Sequence, residues 1–162
     1  MDHDILRRAY LGRHAQTLIL KSSAQVADVY ADRGITIPVA TSSTLQYLFE
    51  HPGSSLSDLA RHFEWPHQLA AQRTDKLIAL ALIEKHRDPN DRRRSIFVVT
   101  EAGQDQAERL VQCMADTAQV YTELFDEIGV DLADALLRAV DALERKTLSE
   151  RFKQSFPERK AG

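Results

Sequence analysis

The amino-acid sequence predicts a mainly α-helical α+β fold, a winged helix-turn-helix with long dimerisation helices at both ends of the chain. Three observations predict it. Residues 57–63 and 67–80 show short amphipathic helical patterns separated by a tight break. Residues 82–87 and 95–100 are β-prone and flank a turn. Apolar residues recur at helical spacing over long stretches on both sides of this region. The order helix, turn, helix, hairpin is that of the winged helix-turn-helix.

The N-terminal part of the chain predicts two helices. Residues 1–10 carry too few apolar side chains for an independent helix, so we expect an ordered arm that contacts a partner. Residues 11–33 are apolar over a wide arc, which indicates a helix buried on two sides, and Gly34 ends it. A second helix is expected over residues 39–50, and a very short strand over residues 54–56.

The two helices of the helix-turn-helix have recognisable ends and faces. Ser57 is the expected N-cap of the first, and Pro66 suits the first turn of the second. The spacing of the second helix predicts that it buries Ala70, Leu77, Ala81 and the stem of Thr74. Its outward face then carries His67, Gln68, Ala71, Gln72, Asp75 and Lys76.

The hairpin turns at Asp88-Pro89-Asn90-Asp91, where proline presets φ and the Asx side chains bond their own backbone. Arg92, Arg93 and Arg94 follow on its outgoing side. Adjacent guanidiniums repel one another and do little for folding, but each can neutralise a phosphate of a polyanion. The alternative is a solvated charge run at the end of a hairpin.

Two further helices are predicted after the hairpin. The first occupies residues 103–128 and ends at Gly129; the second is capped by Asp131 and occupies residues 132–152. Residues 157–162 are expected to fray. Helices of this length cannot complete a core against one small winged helix. We therefore expect a two-fold homodimer in which the first and last helices of both subunits pack together.

Composition and charge narrow the class of protein. No apolar run approaches a membrane span, and the acidic, polar N-terminus does not resemble a secretory signal. Cys113 is the single cysteine, which excludes a disulfide framework within the chain and fits a cytoplasmic location. The net charge of −3 is polarised, since residues 57–100 carry +2 and residues 101–150 carry −8. The positive segment is the winged helix, as expected if that part meets phosphate.

The wing resembles that of the MarR family of bacterial transcription regulators. The resemblance rests on Asp88-Pro89-Asn90-Asp91-Arg92-Arg93, on Val99-Thr100-Glu101-Ala102-Gly103 at a fixed distance, and on Leu82-Ile83-Glu84-Lys85 before the wing. It implies a homodimer that binds a pseudo-palindromic operator in double-stranded DNA. It also implies a division into an N-terminal dimerisation part, a DNA-binding domain and C-terminal dimerisation helices, at residues 1–34, 35–100 and 101–162.

Two positions depart from the family pattern. The family usually has Gly-hydrophobic-Ser/Thr before the second helix, where this chain has Glu64-Trp65-Pro66. That helix usually ends in glycine, where this chain has Ala81. The first departure changes how the helix N-terminus approaches DNA, so no base preference is carried over from the family.

Candidate DNA-binding residues lie on the second helix and on the wing. Gln68 and Gln72 can read adenine through two hydrogen bonds, and His67 and Lys76 can reach bases or phosphates. Arg73 falls where the family more often has a core aliphatic residue, and its stem can pass the apolar face to reach a phosphate. The alternative for each is an ordinary solvated helix face.

On the wing, Arg92 and Arg93 match the family's DNA-contacting arginines, whereas Arg94 has no family motif behind it. Asp88 or Asp91 is expected to orient these arginines through an ion pair rather than to touch DNA. All three arginines are retained as candidates.

The resemblance also implies a small-molecule effector pocket between the dimer helices and the winged helix. On this chain the pocket would draw on His14, Leu18, Tyr47, His51 and Met114, with Cys113 as an alternative to the methionine. His14 and Tyr47 are its polar groups and favour an aromatic or carboxylate-bearing ligand. Ordinary packing with a satisfied histidine is the alternative.

Metal, redox and catalytic roles are not expected. The six histidines include no pair three or four positions apart, and no cysteine or carboxylate completes a tetrahedral set, so neither a metal nor another cofactor is predicted. Cys113 lies among apolar residues of a helix and is interpreted as core. The sequence contains no nucleophile elbow and no phosphate-binding loop, so an enzyme is not expected.

The leading hypothesis is a homodimeric repressor that a small ligand releases from DNA. The alternatives are a DNA-binding or architectural protein without an effector, and an interaction module whose acidic segment, residues 101–150, docks a partner.

Overall fold

The computed structural model describes residues 3–91 and 93–157. The first half of the chain contains α1 (His3–Ala9), α2 (Leu11–Asp32), a 3-10 turn (Val39–Thr41), α3 (Ser42–Glu50), α4 (Leu56–His62) and α5 (His67–Ala79). The second half contains β1 (Ile83–Arg87), β2 (Ser95–Val99), α6 (Glu101–Ile128), α7 (Leu132–Arg145) and α8 (Leu148–Ser155). The two strands pair antiparallel. The predicted mainly helical winged helix-turn-helix is confirmed.

The chain divides into two compact units, Met1–Ala115 and Asp116–Gly162. The divisions expected after residues 34 and 100 separate parts of the chain by their function. The two compact units do not test that division, so it stays a prediction. Among residues 3–91 and 93–157, no helix combines the length and the hydropathy needed to cross a bilayer.

One hydrophobic core holds the helix-turn-helix and the hairpin together. Leu45 and Leu48 of α3, Leu59 of α4, Leu77 of α5 and Ile83 of β1 are at most 1% exposed. Burying each of these side chains contributes about 1.5–3 kcal/mol. α5 is fixed on one face by the same core that fixes the wing.

The base of the hairpin is closed by Thr100. Its backbone N–H donates to Leu82 O at 3.0 Å and its hydroxyl to Ala81 O at 2.8 Å, while Gly103 N–H donates to its Oγ1 at 3.0 Å. We call these three bonds the Thr100 seam. At Gly103 a Cβ atom would lie 2.0 Å from Leu82 O, so no larger residue fits without a shift of backbone. The seam joins the end of α5 to the start of α6.

The loop after α2 is tied to α6 and α3 by buried polar side chains. Gln106 accepts a hydrogen bond from Thr36 N–H at 2.7 Å and donates to Gly34 O at 3.2 Å. Tyr30 and Ser42 share a 2.8 Å hydrogen bond between hydroxyls. Gly34 ends α2 with a φ of +65°, as the sequence predicts.

Three expectations at the N-terminal side are wrong. Residues 3–9 form α1, where the sequence predicted an ordered arm with too few apolar residues for an independent helix. Leucine, arginine and alanine are strong helix formers, and Tyr10 N–H bonds back to Leu6 O. Ser55, not Ser57, caps α4, in a capping box with Asp58. No strand forms over residues 54–56, since Ser55 is used as the cap, although Phe97 N–H still donates to Ser54 O at 2.9 Å.

Two further expectations fail after α5. Ala81 is exposed and lies outside the helix with a φ of +55°, so it is not part of the core. The predicted helix over residues 132–152 is two helices, α7 and α8, because Thr147 and Glu150 form a capping box that starts α8. α6 also begins at Glu101, before Gly103.

Candidate nucleic-acid interface

The turn of the helix-turn-helix contains a residue in a conformation that L-amino acids avoid. Glu64 has a φ of +54°, and Trp65 N–H then donates to Ala60 O at 2.9 Å. Pro66 precedes α5 without a side-chain hydrogen bond to its first N–H groups. Together with Ala81, Glu64 is one of two positive-φ residues other than glycine in the described chain. Both stand where the resemblance predicts glycine.

The outward face of α5 is polar and exposed. Ala70, Thr74 and Leu77 are buried on its other face, as expected. The exposed side chains are His67, Gln68, Gln72, Asp75 and Lys76, and Ala71 is half-buried. An imidazole, two carboxamides and an ammonium group on one face can donate to and accept from base edges and phosphates.

Arg73 lies at the edge of this face. Its side chain is half-buried, and its Nε is buried with no hydrogen-bond partner among the residues the structure describes. A buried donor without a partner costs about 1–3 kcal/mol. The half-burial of Arg73 agrees with a stem that packs beside the apolar face of α5.

The wing tip is shaped by two aspartates that bond local backbone. Asp88 accepts from Asn90 N–H at 2.8 Å, and Asp91 accepts from Arg93 N–H at 2.9 Å. Arg93 is exposed at this tip. Arg92 lies outside the described residues, so its predicted role has no structural account.

Arg94 turns away from the tip. Its guanidinium pairs with the carboxylate of Asp58 on α4 and with that of Asp88 at 3.4 Å. The sequence predicted that Asp88 or Asp91 pairs with Arg92 or Arg93, whereas among the described residues Asp88 pairs with Arg94. The hydroxyl and N–H groups of Ser55 lower the pKa of Asp58 to about 2, with a smaller contribution from Arg94. The carboxylate is therefore ionised at neutral pH and holds the wing against α4.

A groove of about 500 Å³ lies between α4 and the wing. Its lining includes Ser57, Arg61, Lys85, Arg93 and Arg94. Arg61 pairs with Asp58 only loosely, at 3.4 Å. Among the described residues, four cationic side chains and two carboxylates, those of Asp58 and Asp91, line the groove, so its net charge is positive.

The predicted effector residues fall into separate places. His14 lines a cavity of about 460 Å³ with Arg7, Arg8 and Leu11. Tyr47 and His51 are stacked on each other with ring centroids 4.4 Å apart, and neither lines that cavity. Leu18 is 39% exposed, and Met114 packs against the core. Cys113 is fully buried.

Sequence reasoning missed a continuous set of aromatic contacts. Tyr47 contacts His62 at 4.5 Å, His62 contacts Phe63 at 4.6 Å, and Phe63 stacks on Trp65 at 4.4 Å. With His51 these residues form what we call the ring column. It joins the C-terminal end of α3 to the turn before α5. Its only signal in the sequence was the aromatic richness of residues 62–67.

The described residues hold no cluster of three or more histidine, cysteine or acidic side chains placed to bind a metal ion. The candidate site therefore consists of the α5 face and the wing.

Comparison with known proteins points the same way. Residues 34–94 match the model of the MarR family. The chain is 27% identical over 147 residues to the HTH-type transcriptional regulator YwhA of Bacillus subtilis (strain 168), covering 88% of this chain and 99% of that protein. The resemblance inferred from the wing is confirmed. These similar proteins are transcription regulators, not enzymes.

Solved structures share the fold. A complex of S. aureus MepR with DNA has a TM-score of 0.65 and 19% identity, covering 84% of this chain and 97% of that one. The transcriptional repressor CouR, bound to a 23-mer DNA duplex, has a TM-score of 0.61 and 23% identity, covering 83% and 92%. At these identities the likeness is one of fold.

Proposed function

We propose that the protein is a sequence-specific transcription regulator that binds double-stranded DNA, because residues 34–94, which include its helix-turn-helix, match the model of the MarR family. One observation carries the proposal. The face of α5 opposite the core presents His67, Gln68 and Gln72 to solvent, next to a cationic wing. Such a face suits the major groove, and such a wing suits the phosphates beside it.

The side chains divide by chemistry. His67, Gln68 and Gln72 carry both donors and acceptors and are assigned to base edges. Lys76, Arg73 and Arg93 are cations without acceptors and are assigned to phosphates or to the minor groove, as is Arg92 from the sequence. Arg94 is removed from the DNA-binding set, because Asp58 and Asp88 already engage its guanidinium. Its proposed role is to position the wing.

We propose that the functional form is a homodimer bound to a pseudo-palindromic operator. In the first unit, α1 and α2 expose large apolar side chains, among them Ile5, Leu11, Ile19 and Leu20. In the second unit, α7 and α8 expose Leu136, Leu137, Leu148, Phe152 and Phe156. Apolar surface on this scale in a protein of this size is typical of a subunit interface. A second copy of the chain is the proposed occupant.

The regulatory state we propose is a repressor released by a small ligand. Arg7, Arg8 and His14 line one cavity and suit a carboxylate, while Tyr47 and His51 offer stacked rings to an aromatic group. A tenfold loss of operator affinity needs a difference of about 1.4 kcal/mol between the ligand's affinities for the two states. Access to chromosomal DNA gives the cytoplasm as the proposed location.

Footprinting of the purified protein on the DNA upstream of its own coding sequence tests the proposal. We expect a protected, near-symmetric site that aromatic acids shorten or remove. Protection without any sequence preference would favour an architectural protein. A selective footprint that no ligand changes would favour a DNA-binding protein without an effector. If the protein does not bind DNA, the remaining hypothesis is an interaction module whose acidic segment, residues 101–150, docks a partner.

A further inference from the structure

The ring column ends at the turn from which α5 starts, a turn that the backbone bond from Trp65 N–H to Ala60 O closes. Pro66 provides no side-chain cap, and Glu64 holds an unfavourable φ of +54°. A non-glycine residue keeps this conformation only when its surroundings hold it there. The surroundings here are rings: Phe63 stacks on Trp65 at 4.4 Å with an interplanar angle of 18°.

The column is anchored at its other end in α3. Tyr47 packs against the core and contacts His51, His62 and Phe63, at centroid distances of 4.4, 4.5 and 5.7 Å. Nδ1 of His51 lies 3.0 Å from Tyr47 O, which fixes that ring on the end of the helix. α3 therefore reaches the turn before α5 through side-chain contacts that end at Trp65.

We propose that the ring column positions the N-terminus of α5, so that Trp65, Phe63 and Tyr47 set base specificity without contacting bases. This inference rests on the proposed function, since it concerns how α5 reads DNA. Contacts to base edges tolerate displacements of only about 0.5 Å. His67 and Gln68 lie directly after the turn and would lose alignment when it relaxes. The wing is held separately by Arg94 and Asp58, so its phosphate contacts would persist.

The test compares variants in two DNA-binding assays. Trp65→Leu, Phe63→Leu and Tyr47→Leu each remove one ring. Tyr121→Leu is the matched control, because Tyr121 makes a ring pair with Phe125 in the second unit. Each protein is titrated with a duplex that the wild-type protein selects from a random pool, and with a scrambled duplex of equal length.

We expect the ratio of the two affinities to fall about fivefold or more in the three leucine variants of the column, the size of one lost base contact. Affinity for the scrambled duplex should change less than about twofold, because phosphate contacts dominate it. Tyr121→Leu should keep the wild-type ratio. An unchanged ratio in folded Trp65→Leu and Tyr47→Leu, or an equal fall in Tyr121→Leu, would overturn the proposal.

A readout without DNA separates this proposal from the proposed function. Trp65 is the single tryptophan of the chain. Truncation of Tyr47 at the far end of the column should therefore shift its emission, while Tyr121→Leu should not. If the wild-type protein prefers no duplex, the proposed function fails, and the column is judged on this emission alone. Identical emission in Tyr47→Leu and wild type would then overturn it.

Discussion

Arg94 of the wing pairs with Asp58 of α4, across 36 positions of sequence. Asp58 also accepts hydrogen bonds from the N–H and hydroxyl groups of Ser55 at 2.8 and 2.7 Å. One carboxylate thus caps a helix and holds the wing. The stability of α4 and the placement of the wing are therefore linked through a single titratable group.

The first prediction is a pH dependence that Asp58 controls. The pKa of Asp58 falls from 3.8 to about 2, chiefly through the Ser55 hydroxyl. A carboxyl group with a lowered pKa stabilises the fold above its unfolded value, and this contribution is lost as the pH falls from about 4 to 2. Asp58→Asn should remove about 1–2 kcal/mol at pH 7, allowing for screening by water. The free energy of unfolding, measured with urea from pH 7 to 2, should also fall less steeply with pH in this variant than in the wild type.

Asp134→Asn is the control for this experiment. Asp134 pairs with Arg138 on the exposed surface of α7 at 3.4 Å, and an exposed pair of this kind contributes about 0.3–0.5 kcal/mol. If the free energy of unfolding of Asp58→Asn falls as steeply at acid pH as that of the wild type, Asp58 does not control the pH dependence.

The second prediction concerns the two strained turns. Glu64→Gly and Ala81→Gly should each stabilise the protein by about 0.5–1 kcal/mol, since relief of left-handed strain exceeds the entropy that glycine adds to the unfolded chain. Thermal unfolding of both variants checks this. Glu64→Ala is the control and should not stabilise, because alanine keeps the Cβ atom that disfavours a positive φ. Destabilisation by both glycine variants would show that the side chains contribute more than the strain costs.

The third prediction contrasts two glycines. Gly103→Ala should destabilise the protein by about 3 kcal/mol or more, because a Cβ 2.0 Å from Leu82 O displaces backbone rather than a flexible side chain. Gly12→Ala, in the exposed part of α2 with no atom within 4 Å of the new Cβ, should stabilise by about 0.5–1 kcal/mol. Denaturant unfolding measures both. If the two substitutions change the free energy of unfolding equally, the backbone around Gly103 shifts at less cost than its geometry implies.

The fourth prediction distinguishes residues that contact base edges from residues that contact phosphates. Gln72→Ala should narrow the difference in binding free energy between operator and random DNA by about 1–3 kcal/mol. Arg93→Ala should weaken binding to both duplexes and lower the slope of log affinity against log salt by about 1. Titrations at several salt concentrations distinguish the two. If Gln72→Ala leaves the specificity ratio unchanged, the assignment of base-reading residues is wrong.

The fifth prediction concerns assembly. Leu137 and Phe152 are 67% and 65% exposed on α7 and α8. Replacing either with glutamate should convert a micromolar homodimer to monomer, since a charge in an apolar interface has no partner. Sedimentation equilibrium measures the change, and Arg138→Glu, on the same helix, is the charge control. A wild-type protein that is already a stable, folded monomer would refute the prediction directly.

The sequence predicted the wing closely because its signals are local. Branched and aromatic residues specify the two strands, and Asp88-Pro89-Asn90-Asp91 specifies the turn, so both strands begin and end within one residue of the expected positions. The cap of α4 was placed at Ser57, two residues late, because Asp58 was not recognised as the acidic partner in a capping box with Ser55. The single helix predicted over residues 132–152 likewise overlooked the capping box of Thr147 and Glu150, which starts α8.

The side-chain network was harder to predict for a physical reason. Three consecutive arginines look equivalent in a sequence, and only the path of the wing shows that Arg94 points back toward α4. The ring column is likewise formed by residues of α3, of α4 and of the segments that follow these helices, so its contacts depend on how these parts of the chain pack. Local patterns identify the elements, but long-range contacts decide which of their side chains meet.

The Thr100 seam has a consequence for the order of folding. It joins Ala81 to Thr100, 19 positions apart, and so closes only a short loop. The entropy of closing a loop rises with its length, and local contacts form early in folding. The hairpin and its seam can therefore form as a nucleus while α1 and α2 are still unstructured. On a nascent chain, the wing would be complete before α7 and α8 are synthesised, so that each subunit holds its DNA-contacting element before it meets its partner.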